Sequence, residues 1–170
     1  MNKLIGAFLI FLSCFMTAAM PVYAMKQRLI FLSEFRKVLL RMNAELRLNL
    51  LPIPDLIEIV SATCGGEVRP VFTAVHNDYL VHGPNEFQNS WYNSIKQNCP
   101  LLTLEEQECL CSVGAILGQF SLDDELAALD DAAVCLQLGY SETRSKYLSS
   151  RKLFMGCGSV TGLMIAIALL

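Results

Sequence analysis

The sequence predicts an all-α protein in which a cytoplasmic helical bundle, residues 26–150, lies between two transmembrane helices, residues 4–24 and 153–170. Two observations lead to this prediction. Neither terminal segment contains a charged residue, and a helix of about 20 apolar residues crosses a hydrocarbon core of about 30 Å. Between them, apolar residues recur three and four positions apart, and no segment alternates with the period of two that is typical of strands.

The side of the membrane on which the bundle lies follows from its basic residues, because Lys and Arg that flank a span stay on the cytoplasmic side. Five such residues follow the first segment and four precede the second, whereas only Lys3 lies outside the two spans. We therefore expect a cytoplasmic bundle with both chain termini outside. The flanking residues are Lys26, Arg28, Arg36, Lys37, Arg41, Arg144, Lys146, Arg151 and Lys152.

An alternative interpretation of the N-terminus is a cleaved secretory signal peptide. Lys3 would form its basic start, Leu4 to Met20 its apolar centre, and Val22-Tyr23-Ala24 its cleavage site. The chain would then be an exported helical protein with a C-terminal membrane anchor. The basic residues directly after the supposed cut hinder export. The odd number of cysteines in the middle domain, five, also suits a reducing compartment better.

The first bundle helix begins near Lys26 and carries an apolar seam on one face. It either continues the first span directly or follows it after a kink at Pro21. Pro52 and Pro54 end it, because each proline disfavours the α conformation of the residue before it. The seam consists of Leu32, Phe35, Leu39, Met42 and Leu46.

Two short helical segments follow. The first runs from Asp55 to about Thr63 and is broken by Cys64-Gly65-Gly66, since glycine weakens a helix. The second carries an apolar stripe between Val68 and Tyr79 and ends at the turn Gly83-Pro84-Asn85. Both segments predict short helices that bury one face.

The next helix contains the single tryptophan of the chain. Phe87, Trp91 and Ile95 recur every four positions, so they lie on one face of a helix. We therefore expect Trp91 to be buried with the other two in the core. Cys99-Pro100 ends this helix.

The clearest helix start lies at Thr103, where Thr103 and Glu106 have the spacing of a capping box. A similar start signal lies at Ser121. The apolar pattern after it continues until Gly139, which we expect to end or bend the helix.

Acidic residues cluster at these two helix starts, and they are the predicted partner-binding residues: Glu105, Glu106, Asp123 and Asp124. Acidic side chains in a first helical turn stabilise the helix dipole, and a solvated acidic face is the simpler interpretation. If the two starts lie at one end of the bundle, the four carboxylates form a surface that attracts a basic partner.

The sequence predicts no catalytic or metal site. His76 and His82 are six residues apart and do not face each other on one helix, and Cys109-Leu110-Cys111 lacks the two-residue spacer of metal and redox motifs. The cysteines are interpreted as small apolar core residues. No phosphate-binding glycine loop and no basic excess are present, so we expect no enzyme activity, cofactor, nucleic acid or small-molecule substrate.

The terminal spans contain small residues that favour helix packing in lipid. Gly158 and Gly162 form a G-x-x-x-G pattern, which lets another helix backbone approach closely. We expect this face to pack against Gly6 of the first span.

Several groups of residues resemble one known family in order, spacing and total length. They are Lys3-Leu4-Ile5-Gly6; Arg36, Leu39 and Glu45; the proline-containing segment from Leu51 to Leu56; Trp91; Glu106, Leu110, Gly114, Leu117, Gly118 and Asp123; and the glycine-rich terminal span. This layout resembles the stage III sporulation protein AB family of endospore-forming bacteria. Glu125 stands where that family leads one to expect a glutamine-containing segment, which affects only the local surface.

The resemblance implies a membrane component of the sporulation channel complex that links the mother cell to the forespore. It also implies kinship with the platform proteins of type II secretion, which share a helical-bundle domain. The implied partners are the cognate secretion-type ATPase and other channel-complex proteins. The implied location is the mother-cell or outer forespore membrane.

Overall fold

The structure is a computed structural model, which describes the backbone of residues 2–119 and 121–169 and the side chains of residues 20–119 and 121–150. Every regular element in these residues is helical, which confirms the all-α prediction. Short 3₁₀ turns at Gly66–Val68 and Pro84–Glu86 precede the third and fourth helices. The helices are α1 (Asn2–Asn49), α2 (Ile53–Thr63), α3 (Arg69–His82), α4 (Phe87–Asn98), α5 (Leu104–Ile116) and α6 (Leu122–Leu169).

The chain forms two compact units, one of residues 30–140 and one of residues 1–29 with 141–170. The first unit is the helical bundle. Within the residues described with their side chains, no helix has an apolar stretch long enough to cross a membrane. The predicted spans 4–24 and 153–170 fall outside those residues, apart from positions 20–24.

One face of α1 forms the centre of the bundle, as its seam predicts. Each seam residue is almost completely buried, together with Phe31. The rings of Phe35 and Phe72 lie 5.5 Å apart between centroids, which joins α1 to α3. Asn43 is buried on the same helix, and its Nδ2 donates a 3.1 Å hydrogen bond to the carbonyl of Leu126. This bond fixes α1 against the first turns of α6.

Trp91 lies in the core, as predicted. None of its surface is exposed, and its ring centroid lies 5.8 Å from that of Phe72 and 6.0 Å from that of Phe87. Its Nε1 donates a 2.7 Å hydrogen bond to the carbonyl of Leu110 on α5. A Cβ on Gly114 would lie only 2.3 Å from Cδ1 of this indole. Glycine at 114 therefore allows α5 to approach the Trp91 ring.

Two predicted helix boundaries are wrong. Helix α2 begins at Ile53 and not at Asp55, with Pro54 inside its first turn. Proline is tolerated there because the first N–H groups of a helix have no intrahelical acceptor. Helix α6 does not end at Gly139 but continues to Leu169. A Cβ at 139 would lie 1.9 Å from Oε1 of Glu106, so this glycine serves the close contact between α5 and α6.

Candidate partner-binding surface

The four acidic residues predicted to bind a partner differ in exposure. Glu105, Asp123 and Asp124 are exposed, but Glu106 is only 4 % exposed. One carboxylate oxygen of Glu106 accepts a 2.8 Å hydrogen bond from the amide of Thr103, and the Glu106 amide donates to the Thr103 hydroxyl at 3.3 Å. This confirms the predicted capping box. Glu106 therefore stabilises the start of α5 and is not part of an exposed acidic surface.

The two helix starts lie at opposite ends of the α5–α6 pair, so the expectation that they share one end is wrong. Glu106 at the start of α5 lies against Gly139. At the other end, the amide of Gly118 donates a 2.7 Å hydrogen bond to Oε1 of Glu125 in the first turn of α6. The helices are therefore antiparallel. Fifteen residues separate Asp124 from Gly139, which is about 22 Å along a helix that rises about 1.5 Å per residue.

The start of α6 exposes two neighbouring carboxylates. The hydroxyl of Ser121 donates to Oδ2 of Asp124 at 2.6 Å and accepts from the Asp124 amide at 3.4 Å. Asp123 makes no hydrogen bond or ion pair with any other described residue. Both acids lie in the first helical turn, where they stabilise the helix dipole. Asp123 in particular leaves its charge available to a partner.

Acidic and basic residues are also segregated along the chain, a pattern that short motifs do not reveal. Residues 48–140 contain 13 Asp and Glu but only two basic residues, Arg69 and Lys96. The other eleven Lys and Arg all lie before or after this segment. The sequence contained this signal, which becomes visible only when charge is summed over α2 to the middle of α6. This part of the bundle is strongly anionic and suits a basic partner.

A groove of about 380 Å³ lies beside the start of α6. We call it the proline groove, because three prolines line it: Pro52 before α2, Pro54 in its first turn and Pro84 between α3 and α4. Its apolar walls come from the α1–α2 connection, the end of α3, the start of α4 and the end of α5. Glu125 is the acidic residue in its wall, two residues or fewer from Asp123 and Asp124. The main apolar lining residues are Pro52, Pro54, Pro84, Tyr79, Phe87 and Leu117.

A second groove, of about 260 Å³, lies between α1 and the end of α2. Lys37 and Arg41 contribute positive charge to its rim. Nε of Arg41 is 3.9 Å from a carboxylate oxygen of Glu45, a long contact between two partly exposed side chains, which adds little to stability. Helix α1 therefore offers a basic surface, opposite in charge to the rest of the bundle.

The cysteines and histidines do not form a reactive centre in the described residues. Burial raises the pKa of the Cys99 thiol to about 12, and burial together with a hydrogen bond to Cys135 raises the pKa of Cys109 to about 12. Such thiols stay protonated at neutral pH and are poor nucleophiles. His82 contacts Asp78 at 3.0 Å. Among the residues searched, no group of three or more metal-binding side chains comes together.

The three glycines predicted to pack the spans against each other lie outside the residues described with their side chains. Gly6, Gly158 and Gly162 therefore remain a prediction from the sequence.

The comparisons with known proteins agree with the resemblance noted in the sequence. A protein-family model described as Stage III sporulation protein AB (spore_III_AB) matches residues 3–170, nearly the whole chain. No curated protein and no solved structure matches.

Proposed function

This chain belongs to the stage III sporulation protein AB family, and from that membership we propose that it is a platform-like membrane component of the sporulation channel complex. Its bundle docks a cytoplasmic secretion-type ATPase. Work done by that ATPase passes through the bundle to the other channel proteins, and the chain itself catalyses no reaction.

The observation that carries the proposal is the exposed acidic pair at the start of α6. Asp123 and Asp124 project from an anionic part of the bundle, residues 48–140. Complementary charge accelerates encounter and suppresses wrong partners. The ATPase surface that meets this end is accordingly basic. Glu105 lies about 22 Å or more away along the helix pair and belongs to a different contact.

The proposed location is the mother-cell or outer forespore membrane, with the bundle in the cytoplasm. The uncharged segments 4–24 and 153–170 and their basic inner flanks support it. The basic residues that closely follow Ala24 hinder export, which supports a retained first helix over a cleaved signal peptide. N-terminal sequencing of the membrane-extracted protein distinguishes these cases: a start at Met25 would overturn the platform arrangement.

The test is extraction of sporulating-cell membranes in a mild detergent and capture of the full chain. We expect a hexameric ATPase to be captured with it, less at high salt and less with Asp123→Lys/Asp124→Lys. Asp130→Lys/Asp131→Lys is the matched control, since it changes the same charge at two exposed positions about 10 Å farther along α6. Absence of the ATPase from wild-type extracts, or an equal loss in both variants, would contradict the proposal.

A further inference from the structure

We propose that the proline groove binds a large apolar side chain carried on a basic segment of the partner protein. The inference rests on the proposed function for the side of the membrane on which the partner lies. It specifies the site at which the partner docks and the residue types in the docking segment.

The walls of the groove favour an apolar side chain over a polar one. Pro52, Pro54 and Pro84 have no backbone N–H and therefore offer no hydrogen-bond donor. Tyr79 and Phe87 add aromatic surface, with their rings edge to face at 6.3 Å between centroids. The Gly118 amide in the wall is already bound to Glu125. Most of the described lining side chains are therefore apolar or aromatic, while Gln119, the Tyr79 hydroxyl and the Glu125 carboxylate are its polar groups.

The backbone beside the groove contains an unusual leucine. Leu50 has φ of +49° and is the one non-glycine residue with positive φ in the described chain. Helices commonly end with glycine in this conformation, because a side chain there costs about 1–2 kcal/mol. Leu50 is nevertheless 67 % exposed, next to Leu51 in the groove wall. The leucine side chain makes this backbone conformation costly and is exposed to water, so it does not stabilise the fold. This indicates a role in contact with a partner.

Exposed apolar surface continues next to Leu50 in the chain, because Leu48 at the end of α1 is 78 % exposed. Leu80, which follows the groove-lining Tyr79 in α3, is also exposed. Soluble domains rarely expose large aliphatic side chains together with an apolar groove unless a partner covers them.

Charge identifies the partner segment. Among the described lining residues of the groove there is no Lys or Arg, and Glu125 contributes a carboxylate. Exposed Asp123 and Asp124 precede Glu125, and exposed Asp55 lies in the first turn of α2. A segment with Lys or Arg beside its apolar residue meets these carboxylates favourably. The same face of a second copy is anionic, so two copies would repel each other there.

The experiment places the photo-crosslinking residue p-benzoylphenylalanine in the full-length chain in its own membranes. Leu50, next to the lining residue Leu51, and the lining residue Gln119 report on the groove. Exposed Gln137 is the control, because it lies about 18 Å along α6 from Glu125. We expect crosslinks from positions 50 and 119 but not from 137. Mass spectrometry of the crosslinked peptide should show a large apolar residue within a few positions of Lys or Arg, and the yield should fall with salt.

A groove-filling variant makes the test specific. Gln119→Trp adds a large side chain from an exposed position and leaves the core intact, and Gln137→Trp, also at an exposed position, is its control. We expect Gln119→Trp to lower the crosslink yield at position 50 about tenfold, the effect of about 1.4 kcal/mol in affinity, and Gln137→Trp to leave it unchanged.

Equal crosslinking at all three positions, an acidic crosslinked peptide, or a peptide from a second copy of this chain would overturn the inference. Capture of the ATPase with no crosslink at 50 or 119 would overturn the groove but leave the proposed function standing. A basic, apolar peptide from a protein other than the ATPase would support the groove and contradict the proposed function.

Discussion

Gly114→Ala tests the packing at the centre of the bundle, because two opposing effects act at this position. Alanine in the middle of a helix is favoured over glycine by about 1 kcal/mol. The added Cβ would lie 2.3, 2.5 and 2.9 Å from Cδ1, Cγ and Cβ of Trp91. The contact includes the Trp91 Cβ, next to the α4 backbone, so rotation of the ring alone does not relieve it.

The size of the expected destabilisation depends on the displacement of the Trp91 side chain. Trp91 is fully buried, and overpacking a tight core costs about 1–3 kcal/mol. Displacement also threatens the hydrogen bond to the Leu110 carbonyl, which is worth about 1 kcal/mol. These costs exceed the gain in helix propensity, so we expect Gly114→Ala to lower the free energy of unfolding by about 1–3 kcal/mol.

The assay is urea unfolding of the detergent-extracted full chain, followed by far-ultraviolet circular dichroism and by the fluorescence of its single tryptophan. Gly65→Ala is the control, because nothing lies within 4 Å of its Cβ position and its φ of −113° suits alanine. We expect that control to gain about 0.4–1 kcal/mol. If Gly114→Ala is as stable as wild type or more stable, Gly114 does not pack closely against Trp91.

Four other predictions concern the core, a buried thiol, the topology and the membrane segments. Trp91→Ala should lower the free energy of unfolding by about 3–5 kcal/mol, measured by circular dichroism in urea; a loss within about 1 kcal/mol of zero would place the residue at a surface. Because Cys99 is buried and its pKa is raised to about 12, its thiol should stay unmodified by iodoacetamide at pH 8 until urea unfolds the chain, and labelling of the folded chain would contradict its burial. For the same reason topology needs an exposed reporter: Gln88→Cys should react with a membrane-impermeant thiol reagent only after cells are permeabilised, and reaction in intact cells would place the bundle outside. Gly162→Ile should abolish disulfide trapping between cysteines placed near Gly6 and near the outer end of the second span, because the isoleucine fills the small-residue groove. Equal trapping in the wild-type chain and in Gly162→Ile would mean that this face meets lipid or another subunit.

The features that could be predicted from the sequence are those whose signal is local. The α1 seam, the capping box at Thr103 and the burial of Trp91 each depend on residues three or four positions apart, and each was confirmed. Such spacing determines which face of a helix is apolar whatever the helix packs against.

The features that could not be predicted depend on contacts between distant parts of the chain. The role of Gly139 depends on Glu106, 33 residues earlier, and the separation of Glu105 from Asp124 depends on the antiparallel pairing of α5 with α6. The proline groove unites the α1–α2 connection with Pro84 and Leu117, which no spacing in the sequence relates. The exposure of Leu50 follows from a backbone conformation that leucine rarely adopts.

The contact between Glu106 and Gly139 also restricts the order in which the two positions can change over evolution. A side chain at 139 overlaps the Glu106 carboxylate, so gaining one while Glu106 is present disrupts both the capping box and the α5–α6 contact. Losing Glu106 first costs the hydrogen bond from the Thr103 amide to its carboxylate, about 1 kcal/mol, but removes the obstacle. Residues in direct contact are not independent. Related chains with a larger residue at 139 should therefore also have a shorter residue at 106.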